Sequence, residues 1–589
     1  MNNYMYGSSG YQSVQRHAPQ PQNTKPKFSH KIAKYAAAII AVILLGIWLF
    51  LGSFRFMMPG FFSLTGFPFG TRNYLILFQN NYELRPTGGF ISNYGVLKFS
   101  HGLYAGLEFH DVYGDIDKHD YVEPPLVLST LLKGPGFEGL TFRDANYDPD
   151  FPKSKDELIK FYNMVYPDTK IDGVIAADFT FLENMVGMYE PLSVENYELT
   201  RANLFETLSS VVSDIDRHNE EALKNRKNIS GEIVKKIITK TIILPWRISG
   251  ALDELARAFD EKHVVAAFNR SGLANAFAKR YWDGATPQSE SGDFLAINDA
   301  NYGGMKTNRY ISHDVTYELN VTGQKDIRGN PVVTAKVTTQ IEHNGIWNIP
   351  LSGPYTGYLR TLIPLSSNVT TGGTVKENRE DSISLGELIN IPVGGEATYS
   401  YEYTLPEYVW SEGIYNLHLH KQPGTLADHY RVIVHVPQGQ SLDSPDFDVR
   451  ENVAFYETNL LTDQNLSFTL LPDENPPRIV SHEVTAMNEI TIVFNEPLST
   501  DFAADGLNYQ ITDMDYSDTT VKDSISIINA RVDGSAVILT TSGMTPQKDE
   551  RYEIVLKNLR DFAGNIITPN PRTITVVQRD LPVTEATNG

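Results

Sequence analysis

The chain has 589 residues, 41% of them hydrophobic and 21% charged, and a formal net charge of −21. That balance belongs to folded domains, three or four at this length, and its acidity excludes a nucleic-acid partner, because a phosphate backbone demands a basic footprint. With no cysteine in the chain, disulfides, zinc–thiolate sites and cysteine nucleophiles are excluded as well.

Residues 1–31, rich in Asn, Gln, Ser, Tyr and Pro, read as a disordered cytoplasmic tail. From Tyr35 to Phe54 no residue is charged. About 20 apolar residues are what a bilayer core of roughly 30 Å requires, so residues 32–54 are predicted as one transmembrane helix. Arg16, Lys25, Lys27, Lys31 and Lys34 precede this run, and no Asp or Glu occurs before Glu83. The positive-inside rule then puts the N-terminus inside and the following domains outside a cytoplasmic membrane. A cleaved signal peptide would be shorter and end in small residues, whereas here Arg55-Phe56-Met57-Met58-Pro59 follows.

Residues 72–290 alternate strand and helix signals and predict an α/β core domain with a helical layer. Strands are expected at 74–78, 90–99, 103–112 and 171–177. Ser154 with Glu157 reads as a capping box opening one helix, and Asp178 or Thr180 as the cap of another. Residues 202–282 read as mostly helical, with Pro245 separating two amphipathic helices. From 291 to 445 the apolar period becomes two, as in Val315, Tyr317, Leu319 and Val321, which predicts a β-sandwich. The stretch Pro472-Asp473-Glu474-Asn475-Pro476-Pro477 marks a break before a second all-β domain, 475–580, with 581–589 a polar tail.

Between the first two strands lies Phe78-Gln79-Asn80-Asn81-Tyr82-Glu83-Leu84-Arg85-Pro86-Thr87-Gly88-Gly89-Phe90, too polar and too long for a minimal hairpin turn. Gly88-Gly89 permits positive φ, so successive amides can converge on an anion, and Arg85 could grip phosphate or carboxylate. Asn80, Asn81, Glu83 and Thr87 complete this candidate ligand-binding loop, with Arg143 beside it. The expectation is that Arg85 and the glycine amides face one cavity. The alternative is a long turn with Arg85 in solvent.

Two acidic patches follow, 110–120 and 143–150. Pro149 and Lys155 stand where a helix-loop-helix calcium site needs Gly and a bidentate Glu, so that motif is absent. Asp111, Asp115 and Asp144 remain candidate ligands for Mg or Ca in another geometry, against the alternative of solvated loops. Asn298–Asn308, with Asn301 and Lys306, would complete a pocket or form a tight domain junction. His418, His420, His429 and His435 have no diagnostic metal spacing and read as a polar sheet face. No G-x-S-x-G, H-E-x-x-H, Walker loop or ordered G-x-G-x-x-G is present, so standard hydrolase, zinc-protease and nucleotide readings lack support.

The stretches YLILFQNNYELRPTGGFISNYGVLKF, RDANYDPDFP, KIDGVIAADFTFLENMVG and NDANYGGMKTNRY, within residues 72–440, resemble the bacterial domain-of-unknown-function family 4012. More distantly, the strand, Arg-containing loop, hairpin and DGVIAADFTFLENMVG resemble the LytR-CpsA-Psr core. That resemblance implies transfer of glycopolymer from a polyprenyl-pyrophosphate lipid to the cell wall, with arginines on the pyrophosphate and aspartates on Mg. Arg85 stands where that family has Arg-Thr-Asp, but Thr87-Gly88-Gly89 replaces the acid. PPRIVSHEVTAMNEITIVFNEPL and the segment ending RDFAGNII resemble the Ig-like module of bacterial surface-layer proteins. Two expectations result: an envelope scaffold or binding protein, with cell-wall polysaccharide as a partner class, and a glycopolymer-handling protein.

Overall fold

The computed structural model describes Phe54 and residues 60–579, except 114, 119–120, 126, 130–138, 214–219, 289–291, 304, 348–350, 451, 515–523, 543 and 545–548. The expected tails and residues 32–53 of the expected span lie outside the described residues. Among the described residues no helix is long and apolar enough to cross a membrane. The described chain is mostly β, with helices gathered against one sheet and several sandwich-like sheets.

The first sheet runs in the order Leu103–Asp111, Phe90–Ser100, Thr71–Asn80, Gly173–Asp178, Val264–Phe268. Thr71–Asn80 pairs antiparallel with Phe90–Ser100 and parallel with Gly173–Asp178. The parallel pair needs a crossover, and helix Phe151–Val165 supplies it. That helix starts earlier than the expected capping box. The Asp150 side chain accepts from the Lys153 amide at 3.0 Å and Pro152 sits in the first turn, so Ser154 falls inside the helix, where its Oγ donates to the Asp148 carbonyl. Asp178, rather than Thr180, caps helix Phe179–Tyr189, accepting from the Phe181 amide at 3.0 Å.

The stretch expected to be mostly helical contains helices Leu204–Ser213, Glu220–Ile243, Ile248–Asp260 and Ser271–Ala278. It also contains a buried strand, Val264–Phe268, at the sheet edge. A five-residue apolar run, VVAAF, has no period to read, so only its place beside Gly173–Asp178 identifies it.

Two larger sheets face each other beyond Asp293 and enclose one core that includes Val315, Tyr317, Leu359, Tyr415 and Val432. Strands Val453–Leu460 and Gln464–Pro472 pair into these sheets, so they extend past the expected end at 445. Strand Asp293–Asn301 is buried along its whole length. It pairs with Tyr355–Pro364 on one side and Ile414–His420 on the other. A strand covered on both faces reads as a near-continuous buried run. Here the sandwich core covers one face and the loop after Asn80 meets the other.

Strands Ile479–Ala486 through Arg572–Val577 form a further β unit with its own core, including Ile490, Leu539 and Tyr552. Asn565 Nδ2 donates to the Asp473 carbonyl at 2.7 Å where this unit meets the sandwich. Glu496, Asp473 and Asp561 converge there. Burial, then the neighbouring carboxylates of Asp473 and Asp561, push Glu496 up to about 7. The native state therefore binds more protons than the unfolded chain between the ordinary value of 4.5 and about 7, and stability falls as pH rises through that window. Thermal melts should show this slope in wild type and a flatter one in Glu496→Gln; identical slopes would contradict the assignment.

Candidate functional site

The loop from Asn80 to Phe90 spends most of its backbone groups and Arg85 Nη1 and Nη2 on the protein itself, while Asn81 Oδ1, Arg85 Nε and Thr87 Oγ1 are buried without a hydrogen-bond partner. The Tyr82 carbonyl accepts from the Asn308 amide (3.2 Å), and the Leu84 carbonyl from the Asn301 amide (3.0 Å). The Leu84 amide donates to Asn308 Oδ1 (3.0 Å). The Arg85 carbonyl accepts from Gln422 Nε2 (3.3 Å), the Pro86 carbonyl from Asn298 Nδ2 (2.9 Å), and the Gly89 carbonyl from Asn146 Nδ2 (2.9 Å). Asn80 Oδ1 accepts from the Tyr82 amide, a local turn bond, and Asn81 Nδ2 donates to Thr180 Oγ1 and the Gly424 carbonyl, each at 2.9 Å. Buried backbone groups must be paired, and the sandwich and the 146 turn supply the partners.

Arg85 is 5% exposed, and it lines none of the main cavities among the described residues. It lies between the rings of Phe90 and Tyr302, 5.2 and 5.0 Å from their centroids. Nη1 donates to the Asn301 carbonyl, and Nη2 pairs with Glu83 Oε1 at 3.3 Å. The alternative of a turn with Arg85 in solvent is thus corrected: the side chain is buried where the loop keys against Asn301 and Tyr302. The double glycine has a packing reason. Gly88 has φ +131°, and its amide closes a turn on the Arg85 carbonyl. A Cβ at Gly89 would strike the Asn80 backbone. A Cβ at Gly424, itself at φ +84°, would fall on the Gly88 carbonyl, so two chain segments touch there without side chains. Thr87 is fully buried.

The remaining expected cations are also engaged. Arg143 pairs with Asp117 at 3.2 Å and Asp144 at 3.5 Å and covers the Tyr113 ring. Lys306 Nζ lies 5.6 Å from the Phe205 ring centroid. Burial pushes Glu83 and Asp144 up, opposed in each case by Arg85. An anion would find Arg85, Arg143 and Lys306 already facing Glu83, Asp117 and Asp144.

Asp111, Asp115 and Asp144 are not brought together as metal ligands. Asp115 accepts from the hydroxyls of Tyr94 (2.7 Å) and Tyr166 (2.8 Å) and pairs with His110 (2.9 Å). Asp111 ends a strand opposite Asn93, and Asp144 sits with Arg143. In the second acidic patch, Asp148 holds Arg379 at 2.7 Å and Asp150 caps a helix and accepts from Thr286. The acidic turn is bound to its own chain. Asn301, expected at a pocket or a junction, is at a junction: its Nδ2 reaches Met305 O, Thr307 Oγ1 and Asn308 Oδ1.

A second key joins the same two layers, from Lys262 of the α/β layer to Asp463 and His420 of the sandwich. Lys262 Nζ is 2.7 Å from Asp463 Oδ1 and 3.1 Å from His420 Nδ1, with side chains of Lys262 and Asp463 only 1% and 6% exposed. Burial opposes ionisation of Asp463, yet Lys262 and the nearby imidazoles hold its carboxyl down to about 2. Burial and Lys262 hold His420 well below the usual imidazole range. His418, His420 and Asp463 have ligand atoms within 4.8 Å of one another, the spacing of a metal set. The Lys262 ammonium stands in that set as the resident cation. The Gly424 amide donates to the Lys262 carbonyl at 3.2 Å, which ties this key to the first.

Inside the sandwich, His313 pairs with Asp428 (3.1 Å) and Asp299 (3.3 Å). Burial pulls the imidazolium down, but these carboxylates outweigh it and push it up to about 10. The stabilisation is full below the ordinary value of 6.5 and is lost as pH rises through about 10. Urea midpoints of wild type and His313→Gln should therefore converge between neutral and strongly alkaline pH; a constant gap would contradict the pairing.

Two cavities among the described residues lie elsewhere. One of about 590 Å³ is lined by Asp150, Lys153, Lys155, Asp156, Asp283 and Glu380, among others, and one of about 490 Å³ by Glu183, Arg201, Phe205, Glu206 and Arg309, among others. Neither is lined by Arg85, Gly88 or Gly89. Burial pushes Glu183 up to about 7, opposed by its bond from the Tyr82 hydroxyl (3.2 Å) and by Arg201 and Arg309. Sequence reading missed Glu183, because the Tyr82 hydroxyl that bonds it stands about a hundred positions away in the chain. It is a candidate acid–base group at a cleft wall.

No curated protein matches this chain. Among solved structures, the N-terminal part of the bacterial S-layer protein SbsC is similar at 16% identity and TM-score 0.15, over 18% of this chain and 24% of that one. A putative nutrient binding protein from Legionella pneumophila is similar at 8% identity and TM-score 0.20, over 31% of this chain and 73% of that one. This chain thus spans about a quarter of the S-layer structure's length, and neither score reports a shared overall fold. Residues 70–212, which hold the loop, the Arg143 turn and the Asp178-capped helix, match the family described as "Protein of unknown function (DUF4012)".

Proposed function

We propose that this chain is a membrane-anchored, outward-facing cell-envelope protein that works as a rigid surface scaffold or binding protein. The observation that carries the reading is the fate of the polar loop after Asn80. Most of its carbonyls, several of its amides and Arg85 Nη1 are bonded within or across the seam between an α/β layer and a two-sheet sandwich. Such a seam makes a stiff block, as a strut on a surface requires. The apolar run 35–54 supplies the anchor, and the acidic remainder suits a solvated exterior. The C-terminal β unit, with its resemblance to a surface-layer Ig-like module, is a spacer or a contact for envelope polysaccharide.

The glycopolymer-transfer reading needs Arg85 and Arg143 free for pyrophosphate and a carboxylate group free for Mg. The pairing of Arg85 with Glu83 and Asn301, and of Arg143 with Asp117 and Asp144, speaks against it. The deciding experiment titrates the reconstituted full chain with polyprenyl pyrophosphate. The scaffold reading expects no saturable, Arg85-dependent binding. Tight binding by wild type that Arg85→Ala abolishes, with both proteins folded, would overturn it and restore the transferase reading.

A further inference from the structure

Five large apolar side chains gather at one end of the first sheet and stay about half or more open to solvent. Phe69 is 88% exposed and Leu103 73%, and Phe62, Phe67 and Tyr104 are each about half exposed. Single exposed apolar residues need no explanation, but a gathered group does. These are gathered because the short helix Phe61–Thr65 and the following turn are fastened to the Ser100–Leu103 turn. The His101 amide donates to the Gly70 carbonyl (2.8 Å), and the Gly102 amide to the Thr65 carbonyl (3.2 Å). Arg72 Nε reaches the Ser63 carbonyl at 3.1 Å, and the Tyr74 hydroxyl the Leu64 carbonyl at 2.7 Å. A Cβ at Gly102 would meet the Phe67 ring, and the Phe62 and Phe67 rings lie 5.2 Å apart. The patch is thus a fixed platform, held on both sides of the first strand pair.

Two further facts say what covers it. The uncharged run Tyr35–Phe54 ends a few residues before Phe61, so wherever that run is lodged, this end of the sheet is nearby along the chain. Charge points the same way. In a chain of net charge −21 there is no Asp or Glu before Glu83, and the turn segment Leu97–Gly106 has none either. Arg72 and Arg270 both bond to Ser63 of the short helix, and His101 stands in the adjoining turn, its Nδ1 2.8 Å from Ser100 Oγ. Aromatic rings with basic residues beside them are the composition of a membrane–water interface, where rings sit at headgroup depth and cations meet lipid phosphates.

We propose that this aromatic end docks on the bilayer surface, with Phe67, Phe69, Leu103 and Tyr104 entering the headgroup region and Arg72 and Arg270 facing the phosphates. The inference rests on the anchor reading above and adds to it: the α/β layer is not hung on a slack tether but seated on the membrane. A seated layer fixes the direction in which the sandwich and the C-terminal unit extend.

The absence of cysteine makes the test clean, since Phe69→Cys and Leu507→Cys each give one labelling site in the full chain. Leu507, 88% exposed in the C-terminal unit, is the control. Each protein is labelled with an environment-sensitive fluorophore, reconstituted in phosphatidylcholine–phosphatidylglycerol vesicles, and floated on a density gradient. The label at position 69 should be quenched several-fold by a nitroxide carried just below the lipid headgroup and shielded from aqueous iodide; that at 507 should behave oppositely. Adding Leu103→Glu and Tyr104→Glu should abolish the lipid quenching at 69. If the protein floats but position 69 responds as 507 does, docking is overturned and the anchor stands. If position 69 is shielded from iodide yet unquenched by lipid nitroxide, a protein surface or a second copy covers it, and docking is overturned. If the protein does not float, the anchor reading itself fails and docking fails with it.

Discussion

Lys262→Met should lower the free energy of unfolding by about 3–5 kcal/mol, the cost of leaving one half of a buried ion pair without its partner. The Asp463 carboxylate would then face His420 and His418 with no ammonium within reach, in a site almost closed to water. Its other bond, Oδ1 accepting the Lys421 amide at 2.7 Å, cannot neutralise it. Combining Lys262→Met with Asp463→Asn should recover much of the loss, because the amide keeps an acceptor for that amide hydrogen and brings no charge into the seam. Urea denaturation of the two single variants and the double variant measures the coupling directly. A cost for Lys262→Met under about 1 kcal/mol, the range of exposed pairs, would mean the pair is solvated and the second key does not lock.

Arg85→Ala should cost about 3 kcal/mol, from lost stacking on two partly buried rings and from a mostly buried Glu83 left without its guanidinium. The Asn301 carbonyl would lose its Arg85 donor as well. Arg85→Lys should recover less than half, since an ammonium cannot lie flat between Phe90 and Tyr302 while reaching both Glu83 and the Asn301 carbonyl. This separates a structural arginine from a ligand-binding one. The former lowers the melting temperature with or without ligand, whereas the latter leaves the unliganded melt nearly unchanged. An Arg85→Ala protein as stable as wild type would place the guanidinium outside the seam.

What the sequence made legible was the oddity of the loop, not its use. FQNNYELRPTGGF is visibly too polar and too glycine-rich for a minimal turn, and Asn298–Asn308 is visibly a junction or a pocket. Each segment is the partner of the other, yet they stand more than two hundred positions apart, and Gly424 more than three hundred from Asn81. Amides, a guanidinium and paired glycines serve an anion and a buried seam equally well, because both demand converging donors and close backbone approach. Only the tertiary partners decide between them. Period-two patterning did reveal the sandwich strands, since one face of each is core. It could not reveal Val264–Phe268, buried on both faces, nor the Lys262–Asp463 pair, whose members sit in unrelated polar stretches of the chain. The aromatic platform at 61–70 was hidden for the opposite reason: beside an apolar run, more apolar residues attract no notice until the fold leaves them uncovered.

Native-state hydrogen exchange at the loop tests the central claim most directly. If the polar loop is a key between two layers, the amides of Leu84, Phe90, Asn301 and Asn308, all bonded within or across the seam, should exchange as slowly as those of the central strand Thr71–Asn80, opening only with the core. Exchange of these four amides on the fast scale of a surface loop, while that strand stays protected, would contradict the account and return the loop to the role of an open binding site.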